Sequence, residues 1–285
     1  MREAVIVSTA RTGIGKAARG YFNATEAPVL GAHVMNAAVE RAGNAPARID
    51  GVFYGAGNEW GTQGFNLARN AIFAAGLPTS VPAFTLDRKC GSGLTAIALA
   101  ARGIMCDELD VALAGGMESI TLTAKQAPAP YQNASVIAQK PLAYMTMIET
   151  AEVVAERYGI SRAAQDAFGA MSQRRAFEGL QRGAFAEEIV PITVEKAMFD
   201  ADGNQIGTEQ VTVTQDEGIR GGTTAEILSG LRTVFKGGLV IKEGKNITAG
   251  NASQLSDGAS AQILMEREAA EAEGKDILGI YRGFQ

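Results

Sequence analysis

Short apolar runs alternate with helical patterns over the first part of this chain, and that alternation restricts it more than any other feature. It is the signature of a sheet built from βαβ units with helices packed on it. Ala4–Ser8, Gly51–Gly55, Val81–Leu86 and Asp110–Gly116 read as strands. Helical periodicity covers Pro28–Arg41, where Leu30, Val34, Ala37, Ala38 and Val39 recur mostly at three- and four-residue spacing before Gly43 stops it. Asn66–Ala75 reads as a second helix closed by Gly76-Leu-Pro78, and Ile97–Ile104 as a third, strongly apolar one. The expected fold class is α/β.

From Ser119 the composition turns to Thr, Gln, Pro and Asn, and periodicity returns only at Glu149–Tyr158. An Arg/Ala/Gln-rich helical stretch at Arg162–Arg182, a hairpin at Phe199-Asp-Ala-Asp-Gly203 and a polar surface run to Gly222 follow. The sheet pattern resumes at Ile247-Thr-Ala-Gly-Asn251 and at Ala259–Met265. One domain is therefore expected to interrupt another. Residues 1–120 and 244–268 form a discontinuous sheet domain, residues 121–243 a loop or lid domain, and residues 269–285 the start of a further domain.

With 285 residues, 46% of them hydrophobic and 20% charged, the chain can bury a substantial core. A net charge of −5 gives no basic field for a phosphate backbone, which argues against nucleic-acid binding. No apolar run reaches the roughly 18 residues of a membrane span, and the first residues lack the order of a signal peptide, so a cytoplasmic protein is expected. Cys90 and Cys106 are the only cysteines, too few for a disulfide framework, and no His/Cys cluster has metal-site spacing.

Chemistry concentrates at Thr85-Leu-Asp-Arg-Lys-Cys-Gly-Ser-Gly-Leu-Thr-Ala-Ile97, where a cysteine follows a strand and opens a helix. Amide N–H groups and the positive end of a helix favour a thiolate there, and Arg88 and Lys89 add positive charge. Gly91 and Gly93 would let a substrate carbonyl reach the sulfur and the Cys90 N–H together. A free cysteine is also often a buried structural residue, and the turn alone leaves both readings open.

Cys-Gly-Ser-Gly-Leu-x-Ala-Ile at Cys90 resembles the nucleophile motif of the thiolases, and other blocks occur in that family's order. These are Arg11-Thr-Gly-Ile-Gly-Lys16, Gln63-Gly-Phe-Asn-Leu-Ala-Arg69 with Ala74-Ala-Gly-Leu-Pro78, and Ala114-Gly-Gly-Met-Glu-Ser119. Thr150-Ala-Glu152, Arg220 with Thr223-Thr224, and Thr248-Ala-Gly-Asn-Ala-Ser253 with Asp257-Gly258 follow. The resemblance implies a layered fold with helices on a mixed five-stranded sheet and an inserted loop domain. It also implies ping-pong acyl transfer through a cysteine thioester between 3-ketoacyl-CoA and CoA, with no tightly bound cofactor and coenzyme A as substrate. Cys90 would be the nucleophile. Ser253 would contact the pantetheine arm, Ala252 and Phe235 line its tunnel, Arg220 lie near the nucleotide end, and Met147 border the acyl pocket. A homodimer or homotetramer is the implied assembly.

Some expected elements of the family are not found. Its catalytic histidine, second cysteine and oxyanion asparagine belong to a second half, whereas His33 is the only histidine here and lies on an apolar helix. Cys106 carries no second-cysteine motif and reads as structural, so these residues alone are expected not to turn over substrate. Thr146-Met147-Ile148 stands where short-chain biosynthetic members carry His-Met-Gly, and Asp87 replaces their Asn, which leans the reading toward 3-ketoacyl-CoA thiolysis. Two other readings are a non-catalytic acyl-CoA- or lipid-binding relative and, more weakly, a nucleotide site at Gly13-Ile-Gly-Lys16, which lacks the spacing and Ser/Thr of a phosphate loop.

Overall fold

The computed structural model describes residues 2–43, 45–129 and 131–285. In chain order the strands and helices of the first part are β1 (Ala4–Arg11), β2 (Gly15–Lys16), α1 (Ala27–Ala42), β3 (Gly51–Gly55), α2 (Leu67–Ala75), β4 (Ala83–Leu86), α3 (Ser92–Met105) and β5 (Val111–Ser119). Then come α4 (Ile120–Lys125), α5 (Ala134–Gln139), α6 (Met147–Arg157), α7 (Arg162–Gln181), β6 (Ile192–Phe199), β7 (Gln205–Val213) and α8 (Ala225–Ser229). The last elements are β8 (Ser256–Glu266), α9 (Arg267–Ala272) and β9 (Gly279–Ile280). Helix ends follow local chemistry: Asn66 caps α2 by accepting from the Arg69 N–H, and Gly43 and Gly76 close α1 and α2 in the left-handed conformation.

The main sheet runs β4-β3-β5-β8-β1-β9, with β2 paired to β8, seven strands in all. β3 is parallel to β4 and β5, while β8 is antiparallel to both β5 and β1. The sequence pattern reads five of these strands; β2 and β9 are two residues each, too short to show a period. Alternation sends Val5, Val111, Leu113, Ile263 and Met265 to one face, where they pack with Leu30, Val34 and Met35 of α1. The other face carries Ala4, Ala112, Ala114 and Leu264 against Ala100, Ala101 and Ile104 of α3. Small side chains on this second face bring α3 close to the sheet.

The chain divides into two compact units, one of residues 1–127, 185–217 and 255–285, the other of residues 128–184 and 218–254. The division falls elsewhere than the sequence suggests. The β6–β7 hairpin belongs with the sheet unit, tied there by Asn23, which accepts from the Ala197 N–H and donates to its carbonyl, and by Arg11, which pairs with Glu188 and Asp216. Residues 244–254 belong with the inserted unit, and Ile247–Asn251 is a turn rather than a strand. Residues 269–285 pack with the sheet unit, where β9 lies beside β1. Lys16 sits in a strand paired to Ser256, and no helix follows until Ala27, so Gly13–Lys16 forms no phosphate cradle.

Gly55 and Gly116, at the carboxyl ends of β3 and β5, decide where α3 begins. A Cβ at Gly55 would lie 2.3 Å from the Ser92 carbonyl carbon and 2.5 Å from the Gly93 nitrogen, and one at Gly116 would lie 3.3 Å from the Gly93 Cα. Backbone atoms cannot step aside as a flexible side chain can. Gly55→Ala should therefore cost about 2–3 kcal/mol in urea unfolding, or more if α3 lifts from the sheet. Gly279→Ala, with nothing within 4 Å of its Cβ position, should stay within about 0.5 kcal/mol.

Candidate active site

The link from β4 to α3 is a sharp turn. Lys89 adopts φ = +50°, a left-handed conformation uncommon outside glycine, and Cys90 follows it, exposed at the tip. The Gly91 N–H donates to Arg88 O at 3.1 Å and the Ser92 N–H to Lys89 O at 3.0 Å, which closes the turn on both sides of the cysteine. Ser92 clamps it further. Its hydroxyl accepts from the Arg88 N–H at 2.8 Å and donates to Lys89 O at 2.6 Å. A strand-to-helix turn of this kind pushes one side chain out beyond the sheet edge, the geometry used to expose nucleophiles.

The expected cationic surroundings are only partly free to act on the sulfur. Lys89 forms an ion pair with Asp87 and donates to Gly57 O at 3.0 Å, while the Arg88 guanidinium stacks 5.0 Å from the centre of the Phe284 ring. The start of α3 is therefore the main positive contribution. Behind the turn lies a group whose role the sequence motif did not disclose: Glu118, which accepts from the Gly57 N–H and from Gln63 Nε2, both at 2.6 Å. Gln63 in turn accepts from the Ser119 N–H at 2.5 Å. Burial pushes the Glu118 carboxyl above the usual carboxylate range, and Asp87 adds in the same direction. His33 is not a partner of this turn. It sits on α1, on the far face of the sheet, with Nε2 3.4 Å from Val190 O.

The other five residues expected at the site lie in the inserted unit. Met147 opens α6 and is 79% exposed, Phe235 is buried, and Arg220 is exposed with its N–H held by Gln173 Oε1 at 2.8 Å. Ala252 and Ser253 end a turn in which the Ala252 N–H donates to Thr248 O at 3.1 Å. Side chains order this loop. Glu149 accepts from the Val240 and Ile241 N–H groups at 2.5 and 3.0 Å. Glu152, at the end of the Thr-Ala-Glu block, accepts from the N–H groups of Lys245, Asn246 and Ile247 and from Asn246 Nδ2. Their position three residues apart on one helix face is visible in the sequence; that both are buried is not. An open cavity of about 530 Å³ beside them is lined by Glu152, Glu156, Ser161, Lys242, Lys245 and neighbouring residues.

The sequence that folds into this turn and sheet has a match among known families. Residues 4–268 match the description "Thiolase, N-terminal domain". The chain belongs to the thiolase family. It is 43% identical over 284 residues to the 3-ketoacyl-CoA thiolase of Bacillus subtilis, a match covering all of this chain and 71% of that protein. It is 38% identical over 283 residues to peroxisomal 3-ketoacyl-CoA thiolase A of Mus musculus, covering 99% of this chain and 64% of the relative. It is 37% identical over 296 residues to an acetyl-CoA acetyltransferase of Pseudomonas aeruginosa, covering 98% of this chain and 70% of that protein. Among the described residues no helix is long and apolar enough to cross a membrane.

For this thiolase-family chain the two cysteines form an internal comparison. Both are exposed, and they bracket α3: Cys90 precedes its start and Cys106 is its C-cap. Cys90 lies by the amide N–H end of α3 and Cys106 by its carbonyl end. Iodoacetamide at neutral pH should alkylate Cys90 several-fold faster than Cys106, and Ser92→Ala, which unties the turn, should narrow the gap. Peptide mass spectrometry reads both rates.

Backbone hydrogen bonds hold Glu149 and Glu152 below their usual value of 4.5 against the opposing effect of burial. Folding lowers both pKa values, so their stabilisation is complete above about pH 5 and fades as pH falls through 4.5 toward the folded values. Limited proteolysis should show the 237–254 loop opening over that range while the sheet unit still resists. Glu152→Gln strands at least one buried donor and should cost about 2 kcal/mol at neutral pH.

Proposed function

We propose that this chain provides the acyl-carrying cysteine and coenzyme A contacts of a 3-ketoacyl-CoA thiolase. The observation that carries the reading is the exposed Cys90 at the tip of the β4–α3 turn, inside Cys-Gly-Ser-Gly. The Cys90 thiolate attacks the 3-keto carbon of the substrate, and the bond between C2 and C3 breaks. C2 takes up a proton as acetyl-CoA leaves, and the shortened acyl group remains as a thioester on Sγ. The thiolate of a second coenzyme A then attacks that thioester carbonyl, forms the new acyl-CoA and returns the electron pair to Cys90. Coenzyme A is thus a substrate, and the chemistry needs no tightly bound cofactor.

In this reading Ser253 contacts the pantetheine arm, Ala252 and Phe235 line its path, Arg220 meets the nucleotide end and Met147 borders the acyl chain. The exposure of Met147, Arg220 and Ser253 is compatible with these roles. The relatives at 43% and 38% identity are named 3-ketoacyl-CoA thiolases, which supports thiolysis. The test is a short incubation with a 3-ketoacyl-CoA, followed by peptide mass spectrometry. An acyl adduct should appear on Cys90 and vanish in Cys90→Ala. An adduct spread equally over Cys106, or none at all, would favour a relative that binds acyl-CoA without reacting with it.

A homodimer belongs to the same proposal. β4 is an edge strand, and Phe84 on it is half exposed beside Phe65, which is 99% exposed. A paired edge would cover both the apolar rings and the open backbone groups. Phe84→Asp should shift light scattering from dimer to monomer without loss of helical circular dichroism.

A further inference from the structure

We propose that Asp166 is a positioning residue for coenzyme A, acting through Asn251 to fix the turn that presents Ala252 and Ser253. The inference rests on the coenzyme A reading of Ser253 given above. Asp166 is 1% exposed, on α7, and takes no part in the acyl transfer. Its Oδ2 accepts from Arg162 Nε at 2.7 Å, and Arg162 also donates to Leu228 O and Leu231 O at 2.7 and 3.0 Å. Burying a carboxylate is costly unless it is fully partnered, and the remaining partner is Asn251, whose Nδ2 donates to Asp166 Oδ1 at 3.0 Å.

That bond sets which way the Asn251 amide points. Its Nδ2 donates to Asp166 and to Asn246 O at 2.9 Å, and its Oδ1 accepts from the Thr248 N–H at 2.8 Å. Reversing the amide would face oxygen to oxygen at Asp166 and nitrogen to nitrogen at Thr248. With Asn251 locked, Thr248 Oγ1 collects the Gly250 and Asn251 N–H groups, and the Ala252 N–H closes onto Thr248 O. The next residue is Ser253. Asp166 therefore removes the conformational freedom that this turn would otherwise lose on binding.

The test is calorimetric titration of the whole chain with coenzyme A itself. Asn251→Asp sets two carboxylates against each other and should weaken binding about ten-fold. The exchange Asp166→Asn with Asn251→Asp again pairs a donor with an acceptor and should recover most of that loss. A merely structural role would lower the unfolding temperature of both without this recovery in affinity. If Asn251→Asp fails to fold, Asn251→Ala takes its place, and Asp166→Ala added to it should weaken binding no further. Ser253→Ala separates the two readings. If it leaves coenzyme A affinity unchanged, the assignment of Ser253 is wrong; if it weakens binding while the Asn251 variants do not, the role of Asp166 is wrong.

Discussion

Backbone packed on backbone, where β3 and β5 end against the first turn of α3, is the contact on which the rest of the sheet unit depends. Gly55 and Gly116 leave no side chain in that space, so α3 starts flush with the sheet edge. Cys90 must then emerge from a turn of only a few residues, and the left-handed Lys89 is the local consequence. The strain is held in place by Ser92, by the Asp87–Lys89 pair and by the Gly57 carbonyl, which Glu118 steadies through the Gly57 N–H. Steric exclusion fixes where the helix begins; polar contacts fix how the cysteine is offered.

The inserted unit is ordered by different means. Its segment from Gly237 to Ser253 has almost no regular structure, so its amides cannot be satisfied by a ladder or a helix. Two buried carboxylates and a half-buried amide take them instead: Glu149, Glu152 and Asn251, the last fixed by Asp166. Such a loop is as firm as its acceptors are ionised and correctly oriented. The sheet unit rests mainly on apolar and steric contacts, and this loop on ionised acceptors.

The sequence made the long elements legible because each carries a full period and a stop signal. The helix expected over Pro28–Arg41 is Ala27–Ala42, the one over Arg162–Arg182 is Arg162–Gln181, and the strand at Gly51–Gly55 needs no adjustment. The place of Cys90 between a strand and a glycine-rich helix start was legible too. Ile247–Asn251 misled because Ile and Thr suit a strand, yet those N–H groups are already committed to Glu152 and Asn251. Glu118 and Asn251 fall inside the motif blocks, which say nothing of their hydrogen-bond partners, and Asp166 gave no signal, since its burial depends on neighbours far along the chain. The membership of the β6–β7 hairpin was hidden likewise, resting on Asn23 and Arg11 more than 170 residues away.

β8 lies between β5 and β1, and its place in the sheet order also has a cost in time. The register pairs Ala4 with Glu266, so β1 must wait for a strand about 260 residues later before that side is covered, and its other neighbour, β9, comes later still. At the roughly 5–20 residues per second of synthesis, that is on the order of 13–50 s. During it the parallel β3, β4 and β5 can assemble locally, while the apolar β1 has no strand on either edge. Closing a loop of this length precedes any gain from the pairing of β8 with β1. Until β8 is made, both edges of β1 stay open to edge-to-edge pairing with another chain.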